Sequence, residues 1–137
     1  MKPNAISFPL VIILISLSGC VGAPIKYSDG SQSIDRVPDS QLVAEAGRLV
    51  TEANSITTEK GRTEIRTILS ELEKRHPDWR WKEINAGKIQ VGMTKYEVRL
   101  SWGNPTRITR LDQWVYERPS YTTGIVSFRN GVMTGFN

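Results

Sequence analysis

The sequence predicts an α+β fold: an N-terminal helical segment, then short helices packed on one face of a three- to four-stranded antiparallel sheet. Three observations carry that prediction. Apolar residues recur at helical spacing between residues 40 and 76. A short helix with both ends specified runs from Thr94 to Gly103. After Pro105 the period changes to the alternation of strands, around Trp114-Val115-Tyr116, Ile125-Val126-Ser127-Phe128 and Val132-Met133-Thr134-Gly135-Phe136.

The first residues read as an address rather than as fold. Lys2 supplies a positive start, and Ala5 to Leu17 is a mostly apolar run of 13 residues. A membrane-spanning helix needs roughly 20 residues, so residues 1–19 read as a secretory signal peptide. The run ends in Leu17-Ser18-Gly19-Cys20, which resembles the lipobox of bacterial lipoproteins. That resemblance implies a diacylglycerol on the Cys20 thiol, cleavage before Cys20, and acylation of the new amine. The alternative is an ordinary signal peptide with a chance cysteine. Cys20 is the chain's one cysteine, so no internal disulfide can form. Two or more lipid signals anchor stably where a single acyl chain does not. The expected partner of Cys20 is therefore a membrane. Val21 stands where an Asp would favour inner-membrane retention in enteric bacteria, so the expected address is the outer membrane, facing the periplasm.

Residues 20–38 hold Pro24, Gly30, Pro38 and several Ser, with few large apolar side chains. They read as a flexible tether. Residues 39–76 read as a helical hairpin extension. Asp39 or Ser40 offers an N-cap after Pro38. Leu42, Ala46, Leu49, Ala53 and Ile56 then recur on one face of a helix over 40–55. Thr57 or Thr58 caps a second helix with the stripe Ile65, Ile68, Leu69 and Leu72, leaving Glu71, Glu73, Lys74 and Arg75 off it. Pro77 disfavours helical backbone in the residue before it, so this helix is expected to end near His76. A partner-binding coiled coil is the sharper alternative, but the stripes are short for one.

Residues 77–137 read as an α+β domain. Asp78 is expected to cap a short third helix reaching about Lys88, with Trp81 and Ile84 on one face. Ile89-Gln90-Val91 leads, extended, into the central helix. There Thr94 and Glu97 have the spacing of a capping box, Gly103 suits the C-terminal end, and Pro105 stops the helix. Val98 and Trp102 share its inward face. Thr106 to Leu111 alternates weakly, and Asp112-Gln113 reads as a turn. Trp114 and Tyr116 lie on one face of a strand. Glu117 to Gly124 reads as a loop. Asn130-Gly131 is the strongest two-residue hairpin signal available, with one bent strand carrying a bulge as the alternative.

Charge is unevenly distributed. Residues 20–73 hold six Lys/Arg against nine Asp/Glu, a net of −3; residues 74–137 hold eleven against five, a net of +6. Arg107, Arg110, Arg118 and Arg129 fall on the sheet segments. They are the candidate interaction residues, for an envelope protein or for anionic lipid. The alternative is surface solubility and protection of a sheet edge. A nucleic-acid partner conflicts with export. The residues assemble no convergent catalytic set. There is one His, His76, expected to cap or pack, and no metal-ligand or phosphate-loop spacing. The reading is therefore no enzyme, no cofactor and no metal. The aromatics Trp79, Trp81, Trp102, Trp114, Tyr116 and Phe128 read as core.

Gly92-Met93-Thr94, Val98, Trp102-Gly103-Asn104-Pro105, Trp114-Val115-Tyr116 and Phe128 with Asn130-Gly131-Val132 together resemble the SmpA/OmlA (BamE-like) domain. The resemblance covers about residues 82–136. His76-Pro77-Asp78-Trp79 and Gln113 extend it toward a broader group of bacterial envelope proteins. Trp102 stands where the family usually has Leu, and the helical segment before the core is an addition. The resemblance implies a helical pair on one face of an antiparallel sheet, in a small lipoprotein that supports outer-membrane assembly or integrity by binding rather than turnover. An inhibitor-like module that occludes an envelope enzyme is the second reading. An uncharacterised envelope enzyme centred on His76 is the third.

Overall fold

The computed structural model describes residues 33–53, 58–117 and 123–137. Among them, a 3-10 turn (Ile34–Arg36) precedes four α-helices: α1 (Asp39–Ala53), α2 (Glu59–Arg75), α3 (Trp81–Asn85) and α4 (Lys95–Trp102). Four strands follow: β1 (Arg107–Ile108), β2 (Gln113–Glu117), β3 (Thr123–Arg129) and β4 (Val132–Phe136). They form one antiparallel sheet in the order β1-β2-β3-β4. The helices pack against one face of it, which is the α+β architecture the sequence predicts.

The helices stack outward from the sheet. α4 touches it directly: Trp102 meets Tyr116 edge-on at 5.4 Å, and the Tyr116 hydroxyl donates to the Gly103 carbonyl at 3.2 Å. α1 packs on α4, and α2 packs on α1. The hydrophobic cluster runs from Val37, Leu42, Val43 and Leu49 through Ile68 and Leu72 to Val98, Trp114, Val126 and Met133. One hydrophobic cluster thus continues across residue 77, from the α1–α2 pair into α3, α4 and the sheet. Order also begins before residue 39, because Val37 is buried and Ile34 packs on the same cluster.

Most helix ends fall where the local chemistry puts them. Thr58 caps α2 through its hydroxyl, which accepts from the Gly61 amide at 3.3 Å. α2 stops at Arg75 with His76 as its C-cap, as Pro77 requires. Thr94 and Glu97 form the predicted capping box at α4, and Gly103 closes that helix at a φ of +83°. α3 departs from expectation. It starts at Trp81 after Arg80, not after Asp78, and ends at Asn85. The physical reason is tertiary: the Arg80 amide donates to the Glu97 carboxylate at 2.9 Å, so α4 supplies the acceptor that a local cap would have given.

In the sheet, Trp114 pairs with Val126 and Tyr116 with Gly124. Trp114 and Tyr116 face the helices, as their spacing predicts, while Val115 between them is buried from the opposite face. Asn130 and Gly131 have φ of +52° and +78° and join β3 to β4, so the hairpin holds and the single bent strand does not. A bulge falls between Ser127 and Phe128. Thr106 to Leu111 contributes only the two residues of β1, and Gln113 belongs to β2 rather than to the turn. Glu117 pairs with Thr123, so the strands reach further into the expected loop, whose residues 118–122 lie outside the described residues.

Residues 92–95 lie along the outer edge of β4. The Gly92 amide donates to Met133 O at 2.9 Å, the Met133 amide to Met93 O at 2.7 Å, and the Lys95 amide to Gly131 O at 3.2 Å. That edge is thus partly paired. The opposite edge is the short β1, whose Ile108 is exposed, as is Leu111 in the turn that follows.

Candidate interaction surface

Three of the four predicted arginines can be placed. Arg107 lies on β1 opposite Val115, Arg110 in the turn after it, and Arg129 at the end of β3 opposite Val132. All three are exposed, and none joins an ion pair among the described residues. Strand alternation puts Arg107 and Arg129 on the face turned away from the helices. They do not form a compact cluster. Val115 and Ile125 continue the row of Arg107, and Arg129 is four residues beyond Ile125. That is about 13 Å along the strands and two strand spacings of about 4.8 Å across them. Arg118 and Cys20 lie outside the described residues.

The structure brings together charged groups that the sequence reading left on separate surfaces. Arg75 was expected to stand off the apolar stripe of α2. Instead it reaches back to the start of the fold. Its Nη1 donates to Asp39 Oδ1 at 2.8 Å and to Val37 O at 2.7 Å, its Nη2 to Ile34 O at 2.9 Å, and its Nε to Glu71 Oε1 at 2.9 Å. His76 completes this clasp. Its Nε2 lies 2.6 Å from Asp39 Oδ2, and its ring stacks on Trp79 at 4.2 Å with an interplanar angle of 4°. Donation from His76, and then from Arg75, holds the Asp39 carboxyl below the usual aspartate range. The arrangement joins α1 to the end of α2.

A second group of polar residues lies on α4. Glu97 is buried at 2% exposure, and its two oxygens accept from Thr94 N at 2.7 Å and Arg80 N at 2.9 Å. Arg80 Nη1 is 3.6 Å away. Lys95 pairs with Asp112 at 2.6 Å and lies over the Phe128 ring. Arg99 is different. Its guanidinium stacks over Trp114 at 4.9 Å, its Nε is buried with no hydrogen-bond acceptor, and it joins no ion pair among the described residues. Its stem passes Gly47 of α1, where a Cβ would come within 2.7 Å of Arg99 Cγ. Sequence reasoning missed Arg99. The only signal was a charged residue next to Val98, one position round the helix from the inward face, opposite a helical Gly.

Among the described residues, no three His, Cys, Asp or Glu side chains gather where they would hold a metal ion. None of the described helices is long and apolar enough to cross a membrane. Compared with protein-family models, curated proteins and solved structures, the chain has no significant match to any of them.

Proposed function

We propose that this protein is a lipid-anchored periplasmic interaction or scaffolding lipoprotein, acting in outer-membrane assembly or envelope integrity with a BamE-like core. The observation that carries the reading is Leu17-Ser18-Gly19-Cys20 at the end of a 13-residue apolar run, followed by a compact domain. Acyl chains on Cys20 would hold that domain against a bilayer without a spanning helix. The domain's work would be binding. Exposed Arg107, Arg110 and Arg129 offer charge to an acidic partner or an anionic headgroup.

Mass spectrometry of the mature N-terminus, combined with membrane fractionation, tests the address. The expected product begins at an acylated Cys20 and sediments with outer membranes. A soluble, unmodified product beginning elsewhere sinks the reading. Crosslinking in intact envelopes tests the role, and recovery of no barrel-assembly component removes its specific form.

A further inference from the structure

The geometry points to a docking site for an acidic, aliphatic-bearing segment of a partner protein at the β1 edge, with the half-buried Arg99 as the anchor. This deepens the binding reading above and rests on it only in assuming that the domain binds a protein. Four observations converge. Arg99 carries a positive charge that no carboxylate answers among the described residues, and of its guanidinium nitrogens only Nε is sealed from solvent without a partner. A carboxylate can meet the two outer nitrogens of a guanidinium in a two-point fork. The ring beneath it, Trp114, is 3% exposed and lies 4.9 Å from the centre of the guanidinium. Ile108 pairs with Trp114 on the same face of the sheet and is 58% exposed, while Leu111, in the turn after β1, is 79% exposed. Arg110, exposed in the turn between these two residues, adds positive charge, while Arg107 lies on the opposite face of the sheet. Asp112 lies nearby, but Lys95 holds it at 2.6 Å.

The combination selects the occupant. A recessed cation beside two exposed aliphatic side chains complements a chain that alternates carboxylates with apolar residues. β1 is the end strand of the sheet, so among the described residues no further strand pairs with its outer edge. A bilayer surface fits less well, because the Arg99 guanidinium sits between α1 and the sheet rather than standing out from it.

Titration calorimetry on the full chain carrying Cys20→Ala tests the site apart from the lipid address. The probes are a short peptide alternating Leu with Asp, its Leu–Asn counterpart, and vesicles containing phosphatidylglycerol. The Leu–Asp peptide is expected to bind, and the Leu–Asn peptide to bind far more weakly. Arg99→Gln should weaken the first by about tenfold or more, the usual loss of a charged hydrogen bond. Ile108→Ser, at an exposed position that leaves the core intact, should also weaken it. Arg129→Gln, on the other face, should not. Equal affinity for the two peptides, equal loss in the Arg99 and Arg129 variants, an unaffected Ile108→Ser, or binding to vesicles alone would overturn the proposal. Failure of lipidation at Cys20 would leave these results unchanged, so the two readings fail separately.

Discussion

Glu97 is a carboxylate with almost no access to water, and it is held by donors from two different elements. Thr94 N binds one oxygen and Arg80 N the other, with the Arg80 guanidinium 3.6 Å away. A neutral amide in its place would turn an NH2 group toward one of those donors. Glu97→Gln is therefore expected to destabilise the fold by about 2 kcal/mol, more than the roughly 1 kcal/mol of losing the Thr94 hydroxyl. Urea denaturation of Glu97→Gln and Thr94→Ala compares them, and equal losses would reduce Glu97 to an ordinary cap. Asp39 makes a pH-dependent contribution. Its folded pKa is depressed by His76 first and by Arg75 next. Its contribution is therefore present above the ordinary aspartate value and disappears as pH falls through the lower folded value. The stability gap between the natural chain and Asp39→Asn should close as pH is lowered from about 5.5 to about 2. With the side chain about a third exposed, that gap is expected to stay below about 1 kcal/mol. A gap that is constant across this range would show that Asp39 acts through packing alone.

At the scale of elements, the contact of α1 with the end of α4 depends on two glycines meeting. The Asn104 amide donates to Thr51 Oγ1 at 3.0 Å and approaches the Gly47 carbonyl at 3.3 Å. A Cβ on Gly103 would lie 2.5 Å from Thr51 Oγ1 and 3.1 Å from Gly47 O. Gly103→Ala thus combines an unfavourable φ of +83° with a steric clash, and should cost about 3 kcal/mol or more. Gly131 is the contrast. Its φ is +78°, but nothing lies within 4 Å of a Cβ built there. Gly131→Ala should cost only the backbone penalty of about 1 kcal/mol. Adding Thr51→Ala to each variant separates strain from contact. It should recover part of the loss at Gly103 and none at Gly131, measured as denaturation midpoints. The Asn130-Gly131 hairpin and the α4 caps were legible in sequence because each is decided by neighbours two to three residues away. The start of α3 was not, because its acceptor comes from Glu97, seventeen residues on.

For the whole molecule, the continuity of the core is the deciding feature. α1 lies between α2 and α4, and α4 lies between α1 and the sheet. The helical pair buries its apolar face against α4, and α4 in turn covers the sheet, so neither part is complete without the other. One cooperative transition is therefore expected. The four tryptophans, Trp79, Trp81, Trp102 and Trp114, lie outside α1 and α2. Their fluorescence and the far-ultraviolet helical signal should then change together on heating. Two separated transitions would mean that the helical pair unfolds as its own unit.

Much of this fold was readable residue by residue. The helical stripes, the capped helix after Met93, the switch to alternation after Pro105 and the Asn-Gly turn are set by backbone preferences and side-chain period, which act over a few positions. Tertiary structure alone decided which charges meet. Arg75 and His76 come to Asp39 across more than 35 positions, and Arg99 comes to rest on Trp114 beside Gly47. It also decided that Arg107 and Arg129, both on the strand face away from the helices, stand well apart. Local preference fixes what each segment becomes, whereas the partners of a long charged side chain depend on how those segments pack.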